Sequence, residues 1–241
     1  MKTFRHLSLA AIALLGAAYT SAQTADEIIS NYMSAIGGKD SISQITSVYM
    51  EGTMDAMGNQ GTVKITQVNG KGYKQEIDVM GTSVVMCYTD SMGWQINPMG
   101  GNYNAENMPD NEYLPNKHLI YIGGLFITDY QAKGYKVELA GQETVGNVNA
   151  YKLKVLTPEN MEAFYYFDPE SYYLIRLVQK ADMMGQIMDI DFVLSNYQKP
   201  DSGYMMPYTT ETNYGGQFFL VSNITKVEIN KPIDLAVFVK P

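Results

Sequence analysis

The sequence predicts a mainly β, α+β protein: one antiparallel sheet of eleven or twelve strands that curls on itself, joined by two helical pieces. Three observations carry that expectation. From Thr46 onward, apolar and polar residues alternate with period two over most of the chain. Turn residues such as Asn69-Gly70-Lys71-Gly72, Thr157-Pro158-Glu159-Asn160 and Asp168-Pro169-Glu170-Ser171 recur at hairpin distances. No helix-length crossover separates successive strands, so the pattern is an antiparallel meander and not a βαβ arrangement.

The elements follow in order. Lys2 and Arg5, the apolar stretch Leu9 to Ala18 and the small residues Thr20-Ser21-Ala22 have the grammar of a signal peptide cut before Gln23. That apolar stretch is too short to span a bilayer. No cysteine lies beside the cut, so the expected product, residues 23–241, carries no N-terminal lipid. Thr24 and Glu27 then have capping-box spacing, and Ile28, Ile29, Tyr32, Met33 and Ile36 share one helical face before Gly37-Gly38 stops the helix. A second short turn runs from Asp40 to about Ile45.

Strands are expected at Thr46 to Ala56, around Val63 and Ile65, at Tyr73 to Met80, Thr82 to Thr89 and Trp94 to Asn97. Pro98 to Tyr113 breaks the rhythm with Gly, Asn and Pro and reads as irregular. Leu114 to Lys133 is apolar and reads as a short helix or two, bent at Gly123-Gly124. Strands resume at Tyr135 to Ala140, Ala150 to Thr157, Met161 to Phe167, Tyr172 to Lys180, Gln186 to Asn196, Tyr204 to Asn213 and Gln217 to Ile229. No linker divides residues 23–241, so they are expected to form one domain, a size common for barrels and sandwiches.

Charge and composition exclude several functions. Seventeen basic against 25 acidic residues give −8, and loss of Lys2 and Arg5 with the leader leaves −10. Such a chain lacks the clustered cations that nucleic acid requires. Cys87 is the single cysteine, so no intrachain disulfide forms; with no base near it in sequence, it reads as a small buried hydrophobe. His118 is the one histidine after the leader, which leaves a histidine metal cage or a Ser-His-Asp triad hard to build. The chain has no glycine-rich phosphate loop, and Asp189 with Asp191 reads as a solvated strand face. These observations point away from an enzyme and imply no cofactor.

Two enrichments are positive: 19 tyrosines and 16 methionines, including Met183-Met184, Met188 and Met205-Met206. Methionine fills irregular cores, lines walls that accept varied apolar ligands, or captures Cu(I). On a strand, Met184 and Met188 would stand about 13 Å apart, too far for one ion.

Several segments together resemble the outer-membrane lipoprotein-sorting protein family, LolA/LolB-like, in a divergent form of the kind found in Bacteroidetes envelopes. They are Ala25-Asp26-Glu27-Ile28-Ile29 with Ala35-Ile36-Gly37-Gly38, the run Tyr135-Lys136-Val137-Glu138-Leu139, Ala150 to Val155, Tyr165-Tyr166-Phe167-Asp168, Tyr173-Leu174-Ile175-Arg176, and the closing Ile229-Asn230-Lys231-Pro232-Ile233-Asp234. The resemblance runs over nearly all of residues 23–241, through loose strand and turn patterns. It implies a strongly curved, incomplete antiparallel barrel whose open side is closed by helices around an apolar cavity. It also implies a periplasmic carrier of lipid or lipoprotein acyl chains that works with inner- or outer-membrane envelope proteins. The founding carrier uses a transfer arginine; Arg176, the sole arginine after the leader, matches no motif that would assign it that role.

Strand parity then selects a lining. The inward face is expected to carry Met50, Met54, Val63, Ile65, Ile77, Val79, Val85, Trp94, Ile96, Leu153, Val155, Ile175, Leu177, Met188, Ile190 and Phe192. Three functional readings stand: an acyl-chain carrier, an envelope interaction module with a filled core, and a hydrolase with a carboxylate pair. An unshielded C16 chain resists water by about 10 kcal/mol or more, which an apolar cavity offsets without covalent chemistry.

Overall fold

The structure, a computed structural model, describes residues 23–241 apart from Leu125, Met184, Gly185 and Gln217. The predicted leader and Met184 therefore lie outside the described residues. The chain opens on α1 (Ala25–Ala35) and α2 (Lys39–Ser43). The capping box forms: Thr24 Oγ1 accepts from the Glu27 amide at 3.2 Å, and the Glu27 carboxylate accepts from the Thr24 amide at 2.8 Å. Gly37 and Gly38, at φ 130° and 89°, end α1 in a region that side chains disfavour.

The first run of strands is β1 (Ser47–Ala56), β2 (Asn59–Val68), β3 (Gly72–Val79), β4 (Thr82–Thr89), β5 (Gly93–Asn97) and β6 (Asn102–Asn107). A crossing segment follows, with α3 (Asp110–Asn116) and 3₁₀ turns at Lys117–Ile120, Ile122–Gly124 and Ile127–Asp129. The second run is β7 (Lys136–Val145), β8 (Val148–Leu156), β9 (Glu162–Phe167), β10 (Leu174–Met183), β11 (Gln186–Gln198), β12 (Met206–Tyr214) and β13 (Phe218–Ile229). All pair antiparallel in one sheet, ordered β6-β5-β4-β3-β2-β1-β13-β12-β11-β10-β9-β8-β7. Two meanders are thus joined where the last strand pairs with the first, and the resulting half-barrel stays open between β6 and β7.

The described residues hold thirteen strands, and β6 is the one sequence periodicity missed. Its residues, Asn102-Tyr103-Asn104-Ala105-Glu106-Asn107, have no apolar alternation because an edge strand pairing only with β5 has little to bury. α3 likewise begins four residues before the apolar stretch, on Asp110, because its first turn is acidic and solvent-facing.

Cross-strand partners share a face, so the register fixes which side each residue lines. Ala56, Leu220, Thr212 and Phe192 are successive partners across β1, β13, β12 and β11, which places both meanders' apolar sets on one side. That inner face is covered by α1, α2 and the crossing segment. Met33, Ile36 and Ile42 pack on Val48 and Met206, while Ile28, Ile29, Phe126 and Ile127 pack on Leu153, Val155, Tyr165 and Phe167. The bulge at Glu51/Gly52 tightens the junction with β13. A Cβ on Gly52 would lie 2.2 Å from the Asn223 carbonyl oxygen, so only glycine allows this approach.

The opposite face has its own cover. After β13 the chain returns through a 3₁₀ turn, Leu235–Phe238, and buries Phe238 on Val85, Cys87 and Trp94. Trp94 Nε1 donates to the Phe238 carbonyl at 2.8 Å. The Phe238 ring also rests on Gly72, where a Cβ would meet it at 2.6 Å.

Candidate functional site

The inner face is the site that the sequence anticipates, and most of its predicted residues lie there. Met50 is partnered by Ile65 and Val227, Val63 by Ile77, and Met54 and Val79 both by Gly61. In the second meander, Leu153 faces Tyr165, Val155 faces Ala163, Leu177 faces Phe192, and Met188 and Ile190 continue the same row on β11.

Four of the sixteen do not. Ile77 pairs with Val84 and Gln75 with Met86, so Val84 and Met86 point inward, and Val85 turns away. Val85 pairs with Ile96 and Cys87 with Trp94; with Phe238 they form the core of the outer face. Parity was ambiguous here because both faces of Val84-Val85-Met86 are apolar; the C-terminal cover is what makes the outer side greasy. Ile175 falls at the bulge between Leu174 and Arg176, where Leu174 takes the place opposite Phe167.

The remaining twelve divide by depth. Met54, Val63, Val79, Leu153 and Val155 are buried in packed clusters, and Ile190 is buried as well. Met50, Ile65 and Ile77 on β1–β3 and Leu177, Met188 and Phe192 on β10 and β11 are half-buried. Sequence reasoning missed the polar members of this face. Gln67 Nε2 donates to the Leu119 carbonyl at 2.6 Å, and Gln179 Nε2 donates to Asn116 Oδ1 at 3.1 Å. Both glutamines are buried and tie the crossing segment to the sheet. A polar residue at an apolar-parity position was the signal available for them.

The ionisable groups have structural settings. Arg176 faces outward: its Nε and Nη2 donate to the Asp191 carboxylate at 2.9 and 2.8 Å, its Nη1 lies 3.4 Å from Glu143, and its guanidinium stacks on Tyr166. The Cys87 thiol is fully buried, and that burial pushes its pKa up to about 12, so it is not a thiolate near neutrality. His118 Nδ1 bonds the Pro115 carbonyl at 2.8 Å and its ring packs on Phe126; burial drives its pKa down to about 4. Among the described residues no three His, Cys, Asp or Glu side chains gather to hold a metal ion.

A groove of about 790 Å³ opens at the edge of this face, between α1 and β7, lined by Glu27, Ser30 and Asn31 of α1 and by Leu139, Gln142 and Tyr151 of the sheet; Leu139 and Tyr151 point to the inner side, opposite Leu153 and Phe167. Its walls join polar side chains of α1 to the apolar surfaces of Leu139 and Tyr151. No helix among the described residues is long and apolar enough to cross a membrane.

No family model and no curated protein sequence matches the chain. Solved structures do. A domain described as an outer membrane lipoprotein-sorting protein, from Vibrio parahaemolyticus, superposes with a TM-score of 0.55 at 12% identity over 88% of this chain and 95% of its own. A LolA superfamily protein from Nitrosomonas europaea gives 0.56 at 10% identity over 91% and 99%. A DUF1329 family protein from Desulfovibrio piger gives 0.54 at 12% identity over 88% and 97%. At these identities the similarity is one of fold, and it extends over nearly the whole of each chain.

Proposed function

We propose that this chain is a periplasmic binding or carrier protein for lipid acyl chains or lipoproteins that performs no covalent chemistry on its cargo. The observation that carries the reading is the two groups of half-buried apolar side chains, Met50, Ile65 and Ile77 and then Leu177, Met188 and Phe192, on the inner face of an open half-barrel. The fold shared with a lipoprotein-sorting domain supports it. Met50 and Met188 among them suit chains of varied shape, since the thioether side chain is flexible and polarisable. Transfer would not run through Arg176, whose guanidinium is engaged by Asp191 on the other face.

The test is native mass spectrometry of the protein released gently from the cell envelope, followed by lipid extraction. A carrier gives adducts whose mass matches fatty-acyl lipid or lipopeptide. A second reading, an envelope interaction module with a filled half-barrel, is favoured by the packing of Ile28, Ile36, Ile42, Val48 and Leu153 beneath the helices. Bare protein that also takes up no fluorescent fatty acid would select that reading.

A further inference from the structure

In a meander, alternate turns lie at opposite ends of the sheet. The β1–β2, β3–β4, β5–β6, β8–β9, β10–β11 and β12–β13 turns therefore share one end, as the register of β1 with β13 and of β11 with β12 requires. That end carries large apolar side chains standing in solvent: Met57, Met80, Met99, Ile187 and Phe219, all but Phe219 more than three-fifths exposed. The turn residues Met57-Gly58, Met80-Gly81, Pro98-Met99-Gly100-Gly101 and Gly215-Gly216 are themselves uncharged, and Asp55 at the end of β1 turns its carboxylate onto the Gly58 amide at 2.7 Å. The β8–β9 turn, with Glu159, is the exception at this end. Turns at the other end hold Lys71, Asp90, Asp168, Glu170, Lys199 and Asp201.

Turn chemistry supplies an independent observation. Met57 and Gly58 have φ of 54° and 88°, and Met80 and Gly81 have 54° and 75°. Two positive φ values in a two-residue hairpin loop belong to the type I′ turn, whose first central position favours Asn, Asp or Gly. Methionine there is disfavoured by its backbone and left exposed, so neither turn formation nor core packing accounts for it.

We propose that this methionine-tipped end docks on the surface of a lipid bilayer, inserting its turns among neutral headgroups. The inference rests on the carrier reading, since Ala56 and Val79 on the inner face lead directly into Met57 and Met80 at the rim. The apolar tips stand on separate turns, which suits a fluid acyl boundary better than the continuous patch of a protein interface. Turn tips without a cation, on residues 23–241 with a net charge of −10, select zwitterionic over anionic lipid.

The experiment is co-flotation of the mature chain with pure phosphatidylcholine vesicles, comparing wild type with the double variant Met57→Asn/Met80→Asn. Wild type should float, and the double variant should lose binding by about tenfold or more. Its melting temperature should hold or rise, because asparagine suits both turn positions, so unfolding does not explain the loss. Adding phosphatidylglycerol to the vesicles should weaken wild-type binding. Failure of wild type to float, equal flotation of the variant, or binding that needs anionic lipid would each overturn the proposal. So would a wild-type dimer in sedimentation that the variant abolishes, which makes the rim a contact between copies. Uptake of a fluorescent fatty acid from solution by the same proteins separates the two claims: uptake without flotation sinks only the docking, and flotation without uptake sinks only the carrier.

Discussion

His118 sits in the crossing segment, its imidazole against Phe126 at a centroid distance of 4.8 Å. Part of the residue stays accessible at the surface, but the ring itself lies against apolar neighbours, and that setting governs its basicity. The unfolded imidazole takes up a proton near pH ~6.5, the folded one near 4. Between those values the unfolded state binds more protons, so stability falls as pH drops through that window and levels off below it. Wild type should lose about 1–3 kcal/mol more than His118→Gln between pH 7 and pH 4, read from urea midpoints. Parallel curves for the two proteins would show that the ring is not held neutral. Arg176 illustrates a second lesson at this scale. Its place in the sequence left a transfer role open, whereas the pairing of Arg176 with Val193 and Tyr166 puts it on the outer side.

Among the elements, the C-terminal 3₁₀ turn has the most to do for its size. Phe238 seals Trp94 and Cys87, and its carbonyl accepts the indole N–H. Phe238→Ala should cost about 3–5 kcal/mol, the range for emptying a buried phenylalanine site. In a chain ending at Lys231, Trp94 emission should shift to the red, and Cys87 should react with a thiol reagent that leaves the full-length protein untouched. An unreactive Cys87 in the truncated chain would mean that the strand packing alone buries it. The α1 capping box was legible from Thr24 and Glu27 because it is a local, three-residue device. β6 was not legible, since its pairing depends on where β5 lies and not on its own periodicity.

For the molecule as a whole, depth on the inner face decides what a mutation does. A charge at half-buried Phe192 should abolish uptake of a fluorescent fatty acid, by at least about tenfold, while the chain stays folded. The same charge at Met54, buried between Val63 and Val79, should cost several kcal/mol and unfold the protein. A Phe192→Asp protein that folds and binds normally would move the ligand elsewhere. Processing is a further check at this scale: N-terminal sequencing of the exported protein should begin at Gln23 or within a residue or two, and an intact Met1 in the envelope fraction would remove the leader from the account.

The sequence by itself determined the antiparallel meander, the capped first helix, its glycine stop and the hairpin positions, because each depends on residues within a few places of one another. Twelve of the sixteen residues named from parity lie on the inner face, since a strand's alternation is a local property. Only the tertiary structure decided the rest. Val85, Trp94 and Ile96 face outward because Phe238, more than 140 positions further along the chain, covers them there. Ile175 was displaced by a bulge that belongs to the β9–β10 register. The gathering of Met57, Met80 and Met99 at one end follows from strand order, for residues far apart in the chain become neighbours only when alternate turns of one sheet are brought to the same edge.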